Sequence, residues 1–277
     1  MMKHRIDPKV DCVFKALLGS PENSNLLIDF LNSILAVDLE SPITQVTILN
    51  PYNEKEFIGD KLSIVDVKAS DNKGHRYQVE IELSHYEHLD ARMLYNWAVL
   101  YSKQLQSGDG YHELKPAFSI WLVNKTVIHD NEYAHEFKMQ NDKGCTLINH
   151  GGSWILELNK FKANSMVDAK EKWLIFFKEG EYLDEDALPD WMQSKEMRQA
   201  MNTLRQFSEK EKQYHLYQAR QEYLREKVTM AYERDLAEKK ALQLLEERNA
   251  ALQEIQKKDS ALALAQVEIE RLKKLLN

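Results

Sequence analysis

The sequence predicts an α/β fold, a mixed sheet flanked by helices, followed by a long helical tail, and three patterns indicate it. Residues 62–68 and 77–83 alternate apolar and polar side chains, which is typical of strands that bury one face. Residues 118–123 are almost entirely apolar, as in a central strand covered by helices. After Pro189 the chain has neither proline nor glycine and is rich in good helix formers.

The first elements are predicted from their end signals. A helix is predicted over residues 7–19, with Asp7 as its cap and Gly19 as its stop. A second helix is predicted over residues 23–35, and a strand over residues 44–48. These elements lead into the two alternating segments.

The two alternating segments are predicted to form an antiparallel hairpin. Residues 71–75 suit a three-residue loop with Gly74 in the left-handed position, and this register sets Asp66 opposite Glu80. Two facing carboxylates lie about 5 Å apart and repel each other unless water, a lysine or a cation compensates. Mg²⁺ is a natural compensating ion, so the pair predicts a divalent-metal site. The alternative is a solvated polar face that Lys68 partly neutralises.

A long helix is predicted over residues 85–106, before a break at Gly108. Two further strands are predicted around residues 145–147 and 154–158. Beyond them the chain is divided by composition into a helical linker, residues 166–207, and a tail. Residues 1–165 are the predicted folded domain.

The tail, residues 208–277, is predicted as a helix of roughly 100 Å, which is too long to stand without a partner surface. Apolar residues recur in it every seven positions, which indicates a coiled-coil seam and a homodimer. Lys258 and a shifted earlier pair interrupt the seam, which indicates a stutter or bend. The seam consists of Ile255, Leu262, Ala265, Ile269, Leu272 and Leu276, and the shifted pair is Leu245 and Leu252.

Composition excludes some classes of protein. Two cysteines are too few for a disulfide framework or a cysteine-ligated zinc site, and we expect both to be reduced. The charged N-terminus lacks the apolar stretch of a signal peptide, and the longest apolar run, residues 117–123, is far short of the roughly 20 residues that cross a bilayer. A cytoplasmic protein without membrane association is therefore expected. The net charge of −7 argues only weakly against DNA binding.

Other polar residues are candidates for the same site. Asp11 and Lys15 are one helical turn apart and can both point towards it, or they form an ordinary surface ion pair. Lys68 shares the polar face with Asp66, or is a solvated strand lysine. Gln104 can contact phosphate or the attacking water, or lie on the helix surface.

Several segments match, in order, the motifs of one known family. They are residues 7–19, 63–69, 76–82, 104–105, 120–123 and 156–161, with Arg92, Tyr95, Trp97, Tyr101, Gly108 and Tyr111 between them. By these motifs, residues 7–161 resemble the Rpn family of recombination-promoting nucleases, also described as PD-(D/E)XK family transposases. Several ordered matches are far more specific than the acid pair alone.

The resemblance implies a restriction-endonuclease-like fold and a Mg²⁺-dependent DNA endonuclease, with Mn²⁺ or Ca²⁺ as other possible ions, acting in recombination or mobile-element transfer. It makes Asp66 and Glu80 the metal-binding carboxylates, with Asp11 as a further ligand. Glu82 departs from the pattern, because the family usually has glutamine where the wider superfamily has a catalytic lysine. A third carboxylate can bind metal or accept a proton from water, but it cannot supply the positive charge of a lysine.

Three hypotheses follow from the sequence. The leading one is a dimeric, metal-dependent endonuclease with low sequence specificity that uses Asp66, Glu80 and Glu82 in catalysis. The second is a catalytically degenerate nuclease fold that serves as a dimeric DNA-binding or protein-interaction scaffold. The third is an interaction module built on the coiled coil alone.

Overall fold

The computed structural model describes residues 3–49, 52–53, 63–64, 66–83, 87–163, 168–184 and 187–275. The chain divides into two compact units, Met1–Tyr223 and Leu224–Asn277. None of the helices in the described ranges combines the length and the apolar character needed to span a membrane.

Six α-helices are described. They are α1 (Asp11–Leu18), α2 (Ser24–Leu35), α3 (Leu89–Ser102), α4 (Ala169–Glu179), α5 (Lys195–Glu209) and α6 (Glu211–Leu275). Short 3₁₀ turns lie at Pro21–Asn23, Tyr111–Glu113, Gly180–Tyr182 and Asp190–Met192.

A six-stranded mixed sheet forms the centre of the first unit. Its strands are β1 (Val46–Ile48), β4 (Val67–Asp71), β5 (Arg76–Glu82), β6 (Ala117–Val123), β8 (Gly151–Glu157) and β7 (Ala134–Lys138), in that order across the sheet. The inner strands β5, β6 and β8 run parallel, and the outer pairings are antiparallel. Strands β2 (Tyr52–Asn53) and β3 (Ser63–Ile64) pair separately. The predicted mixed α/β sheet and the central apolar strand are confirmed.

The hairpin β4–β5 has the predicted register. Val67 pairs with Val79, and the Asp71 amide donates to the His75 carbonyl at 3.2 Å, which leaves a three-residue loop. Gly74 in that loop has φ +84°, the left-handed conformation that glycine adopts without strain. Because side chains alternate along a strand, this register determines which residues of β4 and β5 share a face.

Both faces of the sheet are covered by helices. On one face, buried side chains of β4, β5, β6 and β8 form a large apolar core with α1, α2, α4 and α5. On the other face, a smaller cluster packs under α3 and includes Met93, Trp121 and Ile155. The second face is where β5 carries its polar residues.

Helices α4 and α5 lie in the segment predicted as a linker, and they contribute to the main core. Trp173 is fully buried, and its ring meets Phe30 edge-on at 5.6 Å. Each helix begins at a capping side chain, Asp168 for α4 and Ser194 for α5, which accepts a backbone hydrogen bond from the first turn.

Two predicted boundaries and one predicted strand were wrong. Helix α1 begins at Asp11, because Asp7 instead closes a turn by accepting from the Lys9 amide at 2.9 Å. Helix α3 ends at Ser102, short of residue 106, and part of its predicted start lies outside the described residues. Residues 145–147 form no strand in the described chain, and Thr146 makes only an isolated bridge. The strand in this region is β7, which was missed because an edge strand needs no regular apolar pattern.

The tail prediction is confirmed as a helix. Helix α6 is continuous over 65 residues, and in the single chain its predicted seam residues Ile255, Leu262, Ile269 and Leu272 are 50–59% exposed. Leu276 lies outside the described residues. A coiled coil between two chains remains a prediction.

Candidate active site

Asp66 and Glu80 come together at one end of the β4–β5 hairpin. The residue pairing puts Asp66, just before β4, opposite Glu80 on β5. The Ile81 amide donates to Asp66 Oδ2 at 3.0 Å, so the backbone of β5 holds the Asp66 carboxylate beside the strand that carries Glu80. The two acids predicted from the sequence are therefore neighbours in space.

The polar face of β5 is buried. Gln78, Glu80 and Glu82 are only 1%, 2% and 8% exposed, because α3 packs over them. Asn96 of α3 approaches Glu80, with its Nδ2 3.5 Å from Oε1. The alternative interpretation of this face as an ordinary solvated surface was wrong. Buried carboxylates are costly unless they are paired or bind a cation, so their burial calls for a functional explanation.

The buried position changes the pKa of both acids. Burial raises the pKa of Glu80 well above its usual range, and the nearby Asp66 charge raises it further, while Arg92 opposes the rise. Burial also raises the pKa of Asp66, against the hydrogen bond from the Ile81 amide and the charge of Lys15. Holding both acids ionised is thus unfavourable, and a nearby cation would relieve it.

Two basic side chains supply part of that positive charge. Lys15 Nζ lies 3.3 Å from Asp66 Oδ1. Arg92 places Nη2 3.7 Å from Glu80 Oε2 and donates from Nη1 to Glu82 Oε2 at 2.8 Å. Its guanidinium lies over the Trp121 ring, 5.4 Å from the centroid. Lys15 therefore contacts the acid pair, whereas the alternative interpretation had it in a surface ion pair with Asp11.

Asp11 lies at the edge of this cluster. It is at the start of α1, and its charge raises the pKa of Asp66, which places it near the acid pair. Arg220 of α6 contacts Asp11, with Nε 3.4 Å from Oδ2. One carboxylate oxygen of Asp11 is thus paired with Arg220, and a role for Asp11 as a metal ligand stays a prediction.

The weaker candidates have other positions. Lys68 is half-buried and pairs with Gln78 across the hairpin. Gln104 follows α3 and exchanges two hydrogen bonds with the backbone of Lys115, at 2.9 and 3.0 Å. Gln104 thus fastens the end of α3 to the chain before β6, which is a structural contact.

A second acidic cluster was not predicted from the sequence. Asp130, His135 and Glu157 each place a potential ligand atom within 4.8 Å of the others. Lys160 already occupies this cluster, with Nζ 3.2 Å from Asp130 Oδ1 and 2.5 Å from Glu157 Oε2. Glu157 also accepts from the Val127 amide at 2.5 Å. The acids here already bind a lysine and a loop amide, so this cluster is the weaker metal candidate. In the sequence, the Glu–Lys spacing within residues 156–161 is the signal that could have indicated it.

Comparison with known proteins agrees with the resemblance in the motifs. A family model described as PD-(D/E)XK nuclease family transposase matches residues 8–233, which include α1, the hairpin, α3 and the start of α6. No curated protein and no solved structure matches the chain. All the acids and bases of the cluster around Asp66 fall within the matched region. The chain therefore belongs to the PD-(D/E)XK nuclease family transposases.

Proposed function

We propose that the chain is a metal-dependent DNA endonuclease that hydrolyses phosphodiester bonds, with little sequence specificity, in recombination or mobile-element transfer. The observation that carries this proposal is the adjacent pair of acids, half-buried Asp66 just before β4 and buried Glu80 on β5. Family membership supports DNA as the substrate. The free thiols of Cys12 and Cys145 agree with a cytoplasmic setting.

Asp66 and Glu80 would hold the metal, with Asp11 as a further ligand. Carboxylate oxygens are the ligands that Mg²⁺ prefers, and Mn²⁺ and Ca²⁺ suit the same donors. The raised pKa values support the fit, because a divalent ion would stabilise the ionised form of both acids. When bound, the ion would activate water and stabilise charge on the phosphate.

The remaining side chains would shape the site around those ligands. The Ile81 amide fixes the Asp66 carboxylate, and Asn96 approaches Glu80 from α3. Helix α3 excludes water from one side of Glu80, which strengthens every charge interaction there. Lys15 Nζ lies 3.3 Å from Asp66 Oδ1, so it would share the Asp66 carboxylate with a bound metal.

The test of function is cleavage of supercoiled plasmid by the purified full chain. We expect nicked and linear products with Mg²⁺ or Mn²⁺, and none with a chelator. Binding should weaken steeply as salt rises, because phosphate contacts release counterions, and it should depend little on sequence. Affinity that is insensitive to salt would contradict the phosphate-binding part of the proposal.

The second candidate is a degenerate nuclease fold acting as a DNA-binding or protein-interaction scaffold. The observation that favours it is Glu82, which supplies no positive charge and is occupied by Arg92. A scaffold would bind DNA but leave the plasmid uncut in every metal. Its stability would also be insensitive to Mg²⁺ and Mn²⁺.

We also propose that two chains pair through the tail. The seam residues of α6 are about half exposed in the single chain, and burying them against a second helix would be favourable. Two such chains would bring two active sites to one DNA molecule.

Replacing Leu262 and Ile269 together by aspartate should give a monomer, because charges in a coiled-coil seam oppose pairing. Light scattering on the full chain measures this. Val267→Asp is the control, since Val267 is also exposed but lies off the seam. A double variant that remains a dimer would show that the seam is not the contact.

A further inference from the structure

Glu82 lies in a buried environment close to Glu80. It is 8% exposed and follows Glu80 by two residues, so the two carboxylates share a face of β5. A buried carboxylate needs a charged or hydrogen-bonding partner. Arg92 provides one through a 2.8 Å hydrogen bond from Nη1 to Glu82 Oε2. Glu82 therefore holds the Arg92 guanidinium beside Glu80.

The Arg92 guanidinium is restrained from several sides. Glu82 accepts from one of its nitrogens, Glu80 lies 3.7 Å from another, and the Trp121 ring lies beneath it. Because these contacts already restrict its rotamers, Arg92 would lose less conformational entropy on binding a ligand than a free side chain does. The side chain is nevertheless 36% exposed, so a ligand can reach it. A planar, fixed fork of N–H donors is well suited to a phosphate.

We propose that Arg92, positioned by Glu82, binds the phosphate of the DNA strand to be cut and supplies the positive charge that Glu82 cannot. This inference rests on the proposed nuclease function. In it Glu82 acts through Arg92, neither as a metal ligand nor as a base. Arg92 would be the catalytic residue, and Glu82 a positioning residue.

Lys15 is another cation in the cluster, but it fits this role less well. Its contact is with Asp66, a proposed metal ligand, so a metal would compete with it for the same carboxylate. Arg92 donates to Glu82, which is not among the proposed metal ligands, so a metal would not displace this contact. Arg92 therefore keeps its position in the metal-loaded site.

A double-mutant cycle tests how Glu82 acts. We expect Arg92→Gln to slow plasmid cleavage by about 10²- to 10³-fold, and Arg92→Lys to slow it less, because charge is kept but the fork is lost. Glu82→Ala should also slow cleavage, whereas in the Arg92→Gln background it should change the rate by less than about threefold. Losses that multiply would show that Glu82 acts independently, and would overturn its assignment as a positioning residue.

DNA binding provides a second readout that does not require cleavage. In chelator, Arg92→Gln should lower the slope of log affinity against log salt by about one, as expected for a lost phosphate contact. Lys73→Gln, at the loop end of the same hairpin, is the control and should leave the slope unchanged. An unchanged slope for Arg92→Gln would overturn the phosphate contact.

The two readouts separate this inference from the proposed function. If the wild type cuts and Arg92→Gln cuts equally fast, the inference fails and the nuclease stands. If the wild type does not cut in any metal, the nuclease fails, and a lower salt slope in Arg92→Gln would still support a phosphate-binding arginine. Circular dichroism of each variant confirms that its fold is intact.

Discussion

Asp66→Asn is expected to lower metal-dependent plasmid cleavage on the order of 10³-fold or more. The substitution keeps the shape of the side chain but removes the charge that would bind the ion, and its oxygen can still accept from the Ile81 amide. The fold should therefore survive while the metal site is lost. The measurement is the rate of nicking at saturating Mg²⁺ and Mn²⁺.

Asp130→Asn is the matched control for that loss. It makes the same chemical change in the second acidic cluster, where the Lys160 ammonium already lies where a metal ion would bind. We expect it to cut at nearly the wild-type rate. If Asp130→Asn abolishes cutting while Asp66→Asn does not, the catalytic metal lies in the second cluster.

Glu80→Gln is expected to stabilise the metal-free protein at neutral and alkaline pH. The folded protein raises the pKa of Glu80 above its ordinary value of 4.5, so it binds a proton more tightly than the unfolded chain does. The contribution of Glu80 to the free energy of unfolding of the wild type is therefore lost as pH rises from about 4.5 through the raised pKa. The glutamine variant has no such loss and should gain about 1–2 kcal/mol at pH 8.

Urea unfolding in chelator at pH 5 and pH 8 measures the effect. The advantage of Glu80→Gln should be small at pH 5 and larger at pH 8, and in a thermal scan each kcal/mol should raise the melting temperature by roughly 2–4 °C. Adding Mn²⁺ should stabilise the wild type and not the variant. A variant that is less stable than the metal-free wild type at pH 8 would mean that Glu80 is a structural acid.

An acid pair that serves function predicts that replacing one acid lowers the cleavage rate while it can raise the stability of the fold. A residue retained for stability should destabilise the fold when replaced, whereas a residue retained for metal binding can stabilise it. Half-buried Asp66 lies beside buried Glu80, and the compensation from Lys15 and Arg92 leaves both pKa values raised. A bound cation would offset the charge that Lys15 and Arg92 leave uncompensated.

The hairpin could be predicted from sequence because its determinants are local. The alternation of β4 and β5 and the glycine in the loop together determine the register, so the meeting of Asp66 and Glu80 followed from a few adjacent residues. Helix α2, the central strand β6 and the long helix α6 were predictable for the same reason, since each has a continuous pattern of its own.

The environment of the acid pair could not be predicted, because it depends on contacts between distant segments. A period of two shows that Glu80 and Glu82 share a face, but not that α3 buries it. Arg92 reaches that face from a helix whose orientation no local pattern determines. Arg220 contacts Asp11 although the two residues are far apart in the sequence, so this contact requires the tertiary fold.

Calorimetry of Mn²⁺ binding to the full chain at pH 8 shows whether Asp66 and Glu80 form a metal centre. We expect the wild type and Asp130→Asn to bind the ion with the same affinity, and Asp66→Asn and Glu80→Gln to lose this binding while remaining folded. Equal Mn²⁺ binding by the wild type and by both variants of the acid pair would contradict a metal centre at Asp66 and Glu80.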